Sequence, residues 1–246
     1  MARISVVDDS ITLDRPVFVE GFPGVGLVGK IAADHLVDVH DMRHYANVHC
    51  EGLPDVAVYR ESDRRITTPV RLYAAPEPGL VVLQSDVPVT PSAAAGFTDC
   101  LASWFDDTGA FPVFLSGRPT ERDATPPALY GVATGDADER LRDAAVDEPP
   151  ESGLVSGPTG SMLADALERD RDAIGLIVES DPQFPDPEAS RTLIVNGIDP
   201  VASTETSTDG LVDQATEIRD AKQQLAERMR QASEESTQAE PLKMYQ

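Results

Sequence analysis

The residues with the clearest capacity for chemistry lie in "VFVEGFPGVGLVGK", residues 17–30. Gly24, Gly26 and Gly29 form G-x-G-x-x-G after an apolar, β-branched run and before a helical pattern. In a dinucleotide fold such glycines let the backbone approach a pyrophosphate at a helix N-terminus, and an acid about 20 residues on takes the ribose. Glu51, after "HYANVHC", stands where that acid is expected. The same stretch reads as a phosphate loop, with Gly24, four residues, Gly29 and Lys30. That reading stops at Ile31, where Ser or Thr would hold magnesium. Glu20 would set a negative charge beside a bound phosphate, and Phe22-Pro23 stiffens the turn. The bland alternative is that the glycines make a tight strand-to-helix turn and let the helix lie close to the sheet.

Other candidate groups are sparser. His35, His40, His44 and His49 fall close together, near Cys50. Their spacing crosses a helix end and a strand, so no metal is expected. Cys50 and Cys100 are in no C-x-x-C pair, which argues against a disulfide framework or a structural zinc. A Ser-His-Asp hydrolase would need a G-x-S-x-G elbow, and none exists. Ser116 and Ser161 have no motif around them beyond a small neighbour, and Asp106, Asp107, Asp136, Asp138 and Glu139 read as a solvated face.

Elements that could position these residues alternate along the chain. Strands are predicted at 16–22, 44–50, 55–60, 67–75, 79–86, 111–117, 128–134 and 173–180. Helices are predicted at 25–39, 90–109, about 136–145, 157–172 and, more weakly, 188–198. Strand, glycine turn and helix recur, the grammar of an α/β fold. We therefore expect a mixed, mostly parallel sheet with helices on both faces. The hairpin-like strands between 44 and 86 supply its antiparallel part. The expected organisation is an α/β domain over 1–208, an amphipathic helix over 209–232 and a flexible tail over 233–246. The helix carries Leu211, Ala215, Ile218, Lys222, Leu225 and Met229 at helical spacing, a narrow stripe that should pack on the domain or on a neighbouring subunit. The tail is polar and broken by Pro241.

Charge excludes some partners. Asp and Glu total 43 against 20 Lys and Arg, a net −23, and Lys occurs only at 30, 222 and 243. A nucleic-acid backbone is not an expected partner, because nothing forms a basic patch. Lys-poor, Asp-rich composition suits a salt-loaded cytoplasm in which repulsion is screened, as in halophilic archaea. No apolar run reaches the length of a membrane span and the N-terminus lacks a signal-peptide core, so no membrane is expected and a cytoplasmic location is.

"VFVEGFPGVGLVGKIAADHLV" with "LPDVAVY" resembles the opening of the proteasome assembly chaperone family. "GPTGSMLADALERDRDAIGLIVES" resembles its second glycine segment, and "FPDPEASRTLI" with the helix from Asp209 its C-terminal part. The resemblance runs over about residues 15–232. It implies an α/β sandwich related to phosphorylase-like folds, homo-oligomers, chaperoning or gating of the proteasome core, and no nucleotide-dependent catalysis or cofactor. On that view the glycines are turn and packing residues. The chain closes on Met244-Tyr245-Gln246, a hydrophobic residue, Tyr and one more residue, which resembles the C-termini of proteasome activators. The resemblance implies docking on the α-subunits of the core, with Met244 in an apolar slot, Tyr245 packed and the carboxylate of Gln246 on a cation. The reading reached is a non-catalytic proteasome chaperone or ATP-independent activator. The alternative is a dinucleotide-binding enzyme using Gly24, Gly26, Gly29 and Glu51.

Overall fold

The computed structural model describes residues 3–50, 53–60, 64–120, 126–211 and 213. Eight strands form one sheet in the order β1-β3-β6-β7-β2-β8-β10-β9. They are β1 Arg3–Val6, β2 Val17–Gly21, β3 Arg43–His49, β6 Val70–Ala75, β7 Leu80–Ser85, β8 Phe111–Pro119, β9 Leu129–Thr134 and β10 Ala173–Ser180. β4 Val58–Tyr59 and β5 Ile66–Thr67 form a separate antiparallel hairpin. β7, β2, β8 and β10 are parallel to one another and make the centre. β6, β3 and β1 extend one flank antiparallel, and β9 closes the other. Five of the eight strands (β3, β7, β2, β8, β10) therefore share one direction.

Helices cover both faces. On one side lie α1 Val28–Val39, α3 Asp138–Asp143, α5 Pro187–Leu193 and α6 Asp199–Ala202. On the other lie α2 Pro91–Thr108 and α4 Gly157–Glu168. The alternation in β2 decides the faces. Phe18 joins Phe97, Trp104, Phe105 and Phe114 under α2 and α4, while Val19 joins Ala32, Leu36, Val113 and Leu193 under α1 and α5. The aromatic side is fitted edge to face, with Phe18 and Phe105 centroids 4.9 Å apart at 73°. β7 is buried along its whole length, as a central parallel strand with helices on both sides must be.

Local chemistry sets the ends. α2 starts after extended Thr90 with Pro91 in its first turn, and stops at Gly109, whose φ of 64° lets its N–H reach the Phe105 carbonyl at 2.8 Å. The run read as one strand over 67–75 is two, because Pro69 has no N–H for a ladder. Thr67 ends the hairpin and Val70 begins β6. The strand expected over 55–60 shrinks to Val58–Tyr59. The weak helix of 188–198 is α5 followed by a π turn, Ile194–Ile198, running into α6. Strand β1, not foreseen, pairs with β3 at the sheet edge. Among the described residues no helix is long and apolar enough to cross a membrane.

Candidate functional site

The turn from β2 into α1 sits at the carboxyl end of the parallel strands. α1 follows β2 on one face, whereas α2 follows the adjacent β7 on the other. This is the kind of switch point where open α/β sheets place a crevice. Gly24 is extended and exposed. Gly26 takes φ 60°, ψ 8°, a conformation that favours glycine. Leu27 follows at φ 52° and leads into α1.

The surroundings of the glycines decide between cradle and joint. A Cβ on Gly26 would stand 2.0 Å from Ser180 Oγ, and one on Gly117 of β8 would stand 2.6 Å from the Val25 carbonyl. The Asp186 N–H donates to the Gly26 carbonyl at 2.8 Å. The Asp186 carboxylate accepts from Ser180 Oγ at 3.2 Å, Asp181 N–H at 3.1 Å and Ala189 N–H at 3.0 Å, the last capping α5. Ser190 Oγ donates to the Val28 carbonyl at 3.1 Å. The segment after β10 therefore fills the side of the loop that a pyrophosphate would need. Gly21 shows how close α1 lies: a Cβ there would be 2.3 Å from Ala33 Cβ and 2.4 Å from the Leu83 carbonyl.

Glu20 does not set a negative charge at the loop, as its position in the sequence had suggested. Its side chain points to the opposite face and is 1% exposed. Thr159 Oγ1 of α4 lies 3.0 Å from both carboxyl oxygens and the Leu115 N–H donates at 3.3 Å. Burial raises its pKa to about 8 against the pull of these hydrogen bonds, so the carboxyl is mostly protonated at neutral pH.

Lys30, which a phosphate loop would aim at the nucleotide, is held elsewhere. Its Nζ lies 2.9 Å from Asp34 Oδ2 and 3.3 Å from Asp86 Oδ1. Asp86 also takes the fully buried Arg71 guanidinium at 2.7 Å. Arg71 donates further to Gln84 Oε1 and to the Thr68 carbonyl. Gln84 Nε2 donates to Asp34 at 2.7 Å, and Arg60 donates to Gln84 Oε1 at 2.8 Å. Burial works to raise the Asp86 pKa, but Arg71 and Lys30 hold the carboxyl below its usual range. Sequence reasoning missed this network. Lys30 was singled out, yet Arg71, Gln84 and Asp86 meet it only through the pairing of β6 with β7.

The histidines are dispersed. His35 Nε2 donates to the Ser207 carbonyl at 2.6 Å, and His40 Nε2 donates to Thr206 Oγ1 at 3.0 Å. Thr206 in turn is fixed by Asp199, from its N–H at 3.0 Å and its hydroxyl at 2.7 Å. His35 of α1 and His40 at its C-terminal cap thus clamp the segment that leads to Leu211, which is buried in the same core cluster as α1. His44 pairs with Asn47 at 2.9 Å, and His49 is exposed. No group of three metal-ligating side chains occurs among the described residues. Cys50 and Cys100 are neighbours and both thiols are free. Glu51, most of the predicted C-terminal helix, and Met244, Tyr245 and Gln246 lie outside the described residues.

Fold and loop together define a doubly wound α/β protein whose glycine turn is a packing joint between β2, α1 and the segment after β10. The chain belongs to the PAC2 family, whose model matches residues 18–226. It is similar to Pyrococcus furiosus PbaA, an archaeal homolog of proteasome-assembly chaperone (TM-score 0.78, 22% identity, 95% of this chain and 100% of that one). It is also similar to PbaB of the same organism, an archaeal proteasome activator (TM-score 0.78, 19% identity, 92% of this chain and 98% of that one). An uncharacterized protein of Methanocaldococcus jannaschii is 24% identical over 219 residues, 88% of each chain. At these identities the solved structures establish the fold.

Proposed function

We propose that this chain is a proteasome assembly chaperone or an ATP-independent proteasome activator, acting as a homo-oligomer that docks on the α-subunits of the core through Met244, Tyr245 and Gln246. Membership of the PAC2 family over residues 18–226 carries the reading. The names of PbaA and PbaB support it, and the terminal hydrophobic-Tyr-X sequence supplies the contact. Tyr245 is the anchor in this scheme, since aromatic hot spots contribute about 2 kcal/mol or more each. Several tails on one assembly bind together far better than one alone.

The closed loop weighs against the dinucleotide-binding enzyme. The approach to Gly26 is occupied by Ser180 and the Asp186 network, and Lys30 is neutralised by Asp34 and Asp86.

The test is capture of core α-subunits by the full chain and by a chain lacking residues 244–246. Light scattering on both reports the assembly size. Capture by the full chain and its loss on truncation, at unchanged assembly size, is expected. Equal capture by both chains overturns the docking mechanism.

A further inference from the structure

Beyond the helices, one part of the sheet is covered differently. On the α1 side, the flank formed by β3 and β6 lies under the β4–β5 hairpin. Between hairpin and sheet runs an open cleft of about 610 Å³, within the range of about 300–1,000 Å³ typical of small-molecule sites. Arg43, Arg60, Arg65 and His44 line it together with Asn47 and Tyr73. No carboxylate lines it among the described residues. In a chain of net charge −23 with only 20 Lys and Arg, such a concentration of arginine runs against the overall field.

Much of this charge is matched by carboxylates. Lys30 and Arg71 are matched by Asp34 and Asp86. Arg43 is matched by Asp8 at 3.2 Å. Arg60 is different. Its two hydrogen bonds go to neutral acceptors, Gln84 Oε1 at 2.8 Å and the Tyr73 hydroxyl at 3.4 Å. These bonds hold the Arg60 guanidinium against neutral groups, with the carboxylates of Asp86 and Asp34 acting on it from beyond contact.

We propose that this cleft is a binding site for a small organic oxyanion, carboxylate- or phosphate-bearing, held by Arg60 with Arg43 and Arg65 around it and lying against Tyr73 and Val56. Planar guanidinium forks match both anion geometries. The Asn47 amide offers a neutral donor, while Val56 and Tyr73 provide apolar surface for the rest of the ligand. The imidazole of His44 reports the field. Burial, and then the charges of Arg71 and Arg60, hold its pKa below the usual value, with Asn47 opposing. The site is separate from the proposed proteasome tail, and its test is independent of proteasome binding.

The experiment is calorimetric titration of the full chain with inorganic phosphate and with citrate, at constant ionic strength kept with sodium chloride. Saturable binding is expected, weakened about tenfold or more in Arg60→Gln, since a charge-assisted hydrogen bond is lost. Arg118→Gln, which removes a distant arginine paired with Glu151, should leave it unchanged. Circular dichroism confirms that each variant is folded. A second readout is the His44 pKa by NMR. An anion among Arg43, Arg60, Arg65 and Tyr73 should raise it in wild type, and much less in Arg60→Gln. Saturation by phosphate alone assigns a phosphoryl ligand, by citrate alone a carboxylate, and by both a general oxyanion site. No saturable binding, or binding equally strong in folded Arg60→Gln with an unmoved His44, overturns the proposal.

Discussion

Gly21 and Gly24 flank the same turn, and one added methyl group should affect them very differently. Gly21→Ala would drive Cβ to 2.4 Å from the Leu83 carbonyl and 2.3 Å from Ala33, so backbone must move. The expected cost is roughly 1–3 kcal/mol, read by urea unfolding. Gly24 has an ordinary extended φ of −139° and nothing within 4 Å of the added atom. Gly24→Ala should change stability by less than about 0.5 kcal/mol. Equal effects at the two positions would contradict the packing account. Glu20 makes the second prediction. Its folded carboxyl keeps a proton to about pH 8, whereas the unfolded group releases it near its ordinary value of 4.5. Between those values the folded state binds more protons, so stability falls as pH rises, by at most roughly 1.4 kcal/mol per pH unit. Glu20→Gln should flatten that slope and raise the thermal midpoint at pH 8 above wild type. A wild-type slope unchanged by the substitution would show that the burial penalty lies elsewhere.

At the scale of elements, the β6–β7 pair carries the main polar network of the α1 face. Asp86→Asn would leave the Arg71 guanidinium, fully buried, with neutral partners only. A loss of roughly 2–3 kcal/mol in unfolding free energy is expected, below the usual cost of breaking a buried pair because Asp86 is 22% exposed. A near-neutral result would mean that Gln84 and Thr68 suffice for Arg71. Much of this architecture was legible in the sequence. The alternation of Phe18 and Val19, the apolar run Leu80–Leu83 of β7, and the Thr90–Pro91 start and Gly109 stop of α2 are local signals with local causes. The network was not legible, because Lys30, Arg60, Arg71 and Asp86 are brought together by strand pairing alone. β1 escaped notice because four residues next to the acidic run Asp8-Asp9 carry too short a pattern. For the loop, glycine spacing was visible but not its use. Spacing is the same for a phosphate cradle and a tight joint, and Ser180, the residue that fills the space, lies at the far end of β10.

For the whole molecule, a net charge of −23 on 26.4 kDa makes self-repulsion a main opponent of folding at low salt. Acidic positions such as Asp106, Asp107, Asp136, Asp138 and Glu139 are exposed, where screening acts fully. Raising sodium chloride from about 0.1 M to 1 M shortens the Debye length from about 10 Å to 3 Å. The thermal midpoint should climb with salt, by about 2–4 °C for each kcal/mol of repulsion removed. A midpoint that stays level or falls across that range would separate this acidity from any adaptation to salt.

The place of β2 in the sheet has a consequence for how the chain is made. Its neighbours are β7 and β8, so Val17 finds Leu80 on one side and Phe111 on the other. The strand at the centre of the finished sheet is made before either neighbour, and it waits until Phe111 has been added before both its edges are satisfied. Through that interval Phe18 and Val19, which end fully buried, belong to an unpaired apolar strand. Nascent chains arrested before Phe111 should therefore recruit cellular holding factors and remain open to protease, and those arrested well beyond Ser180 should not.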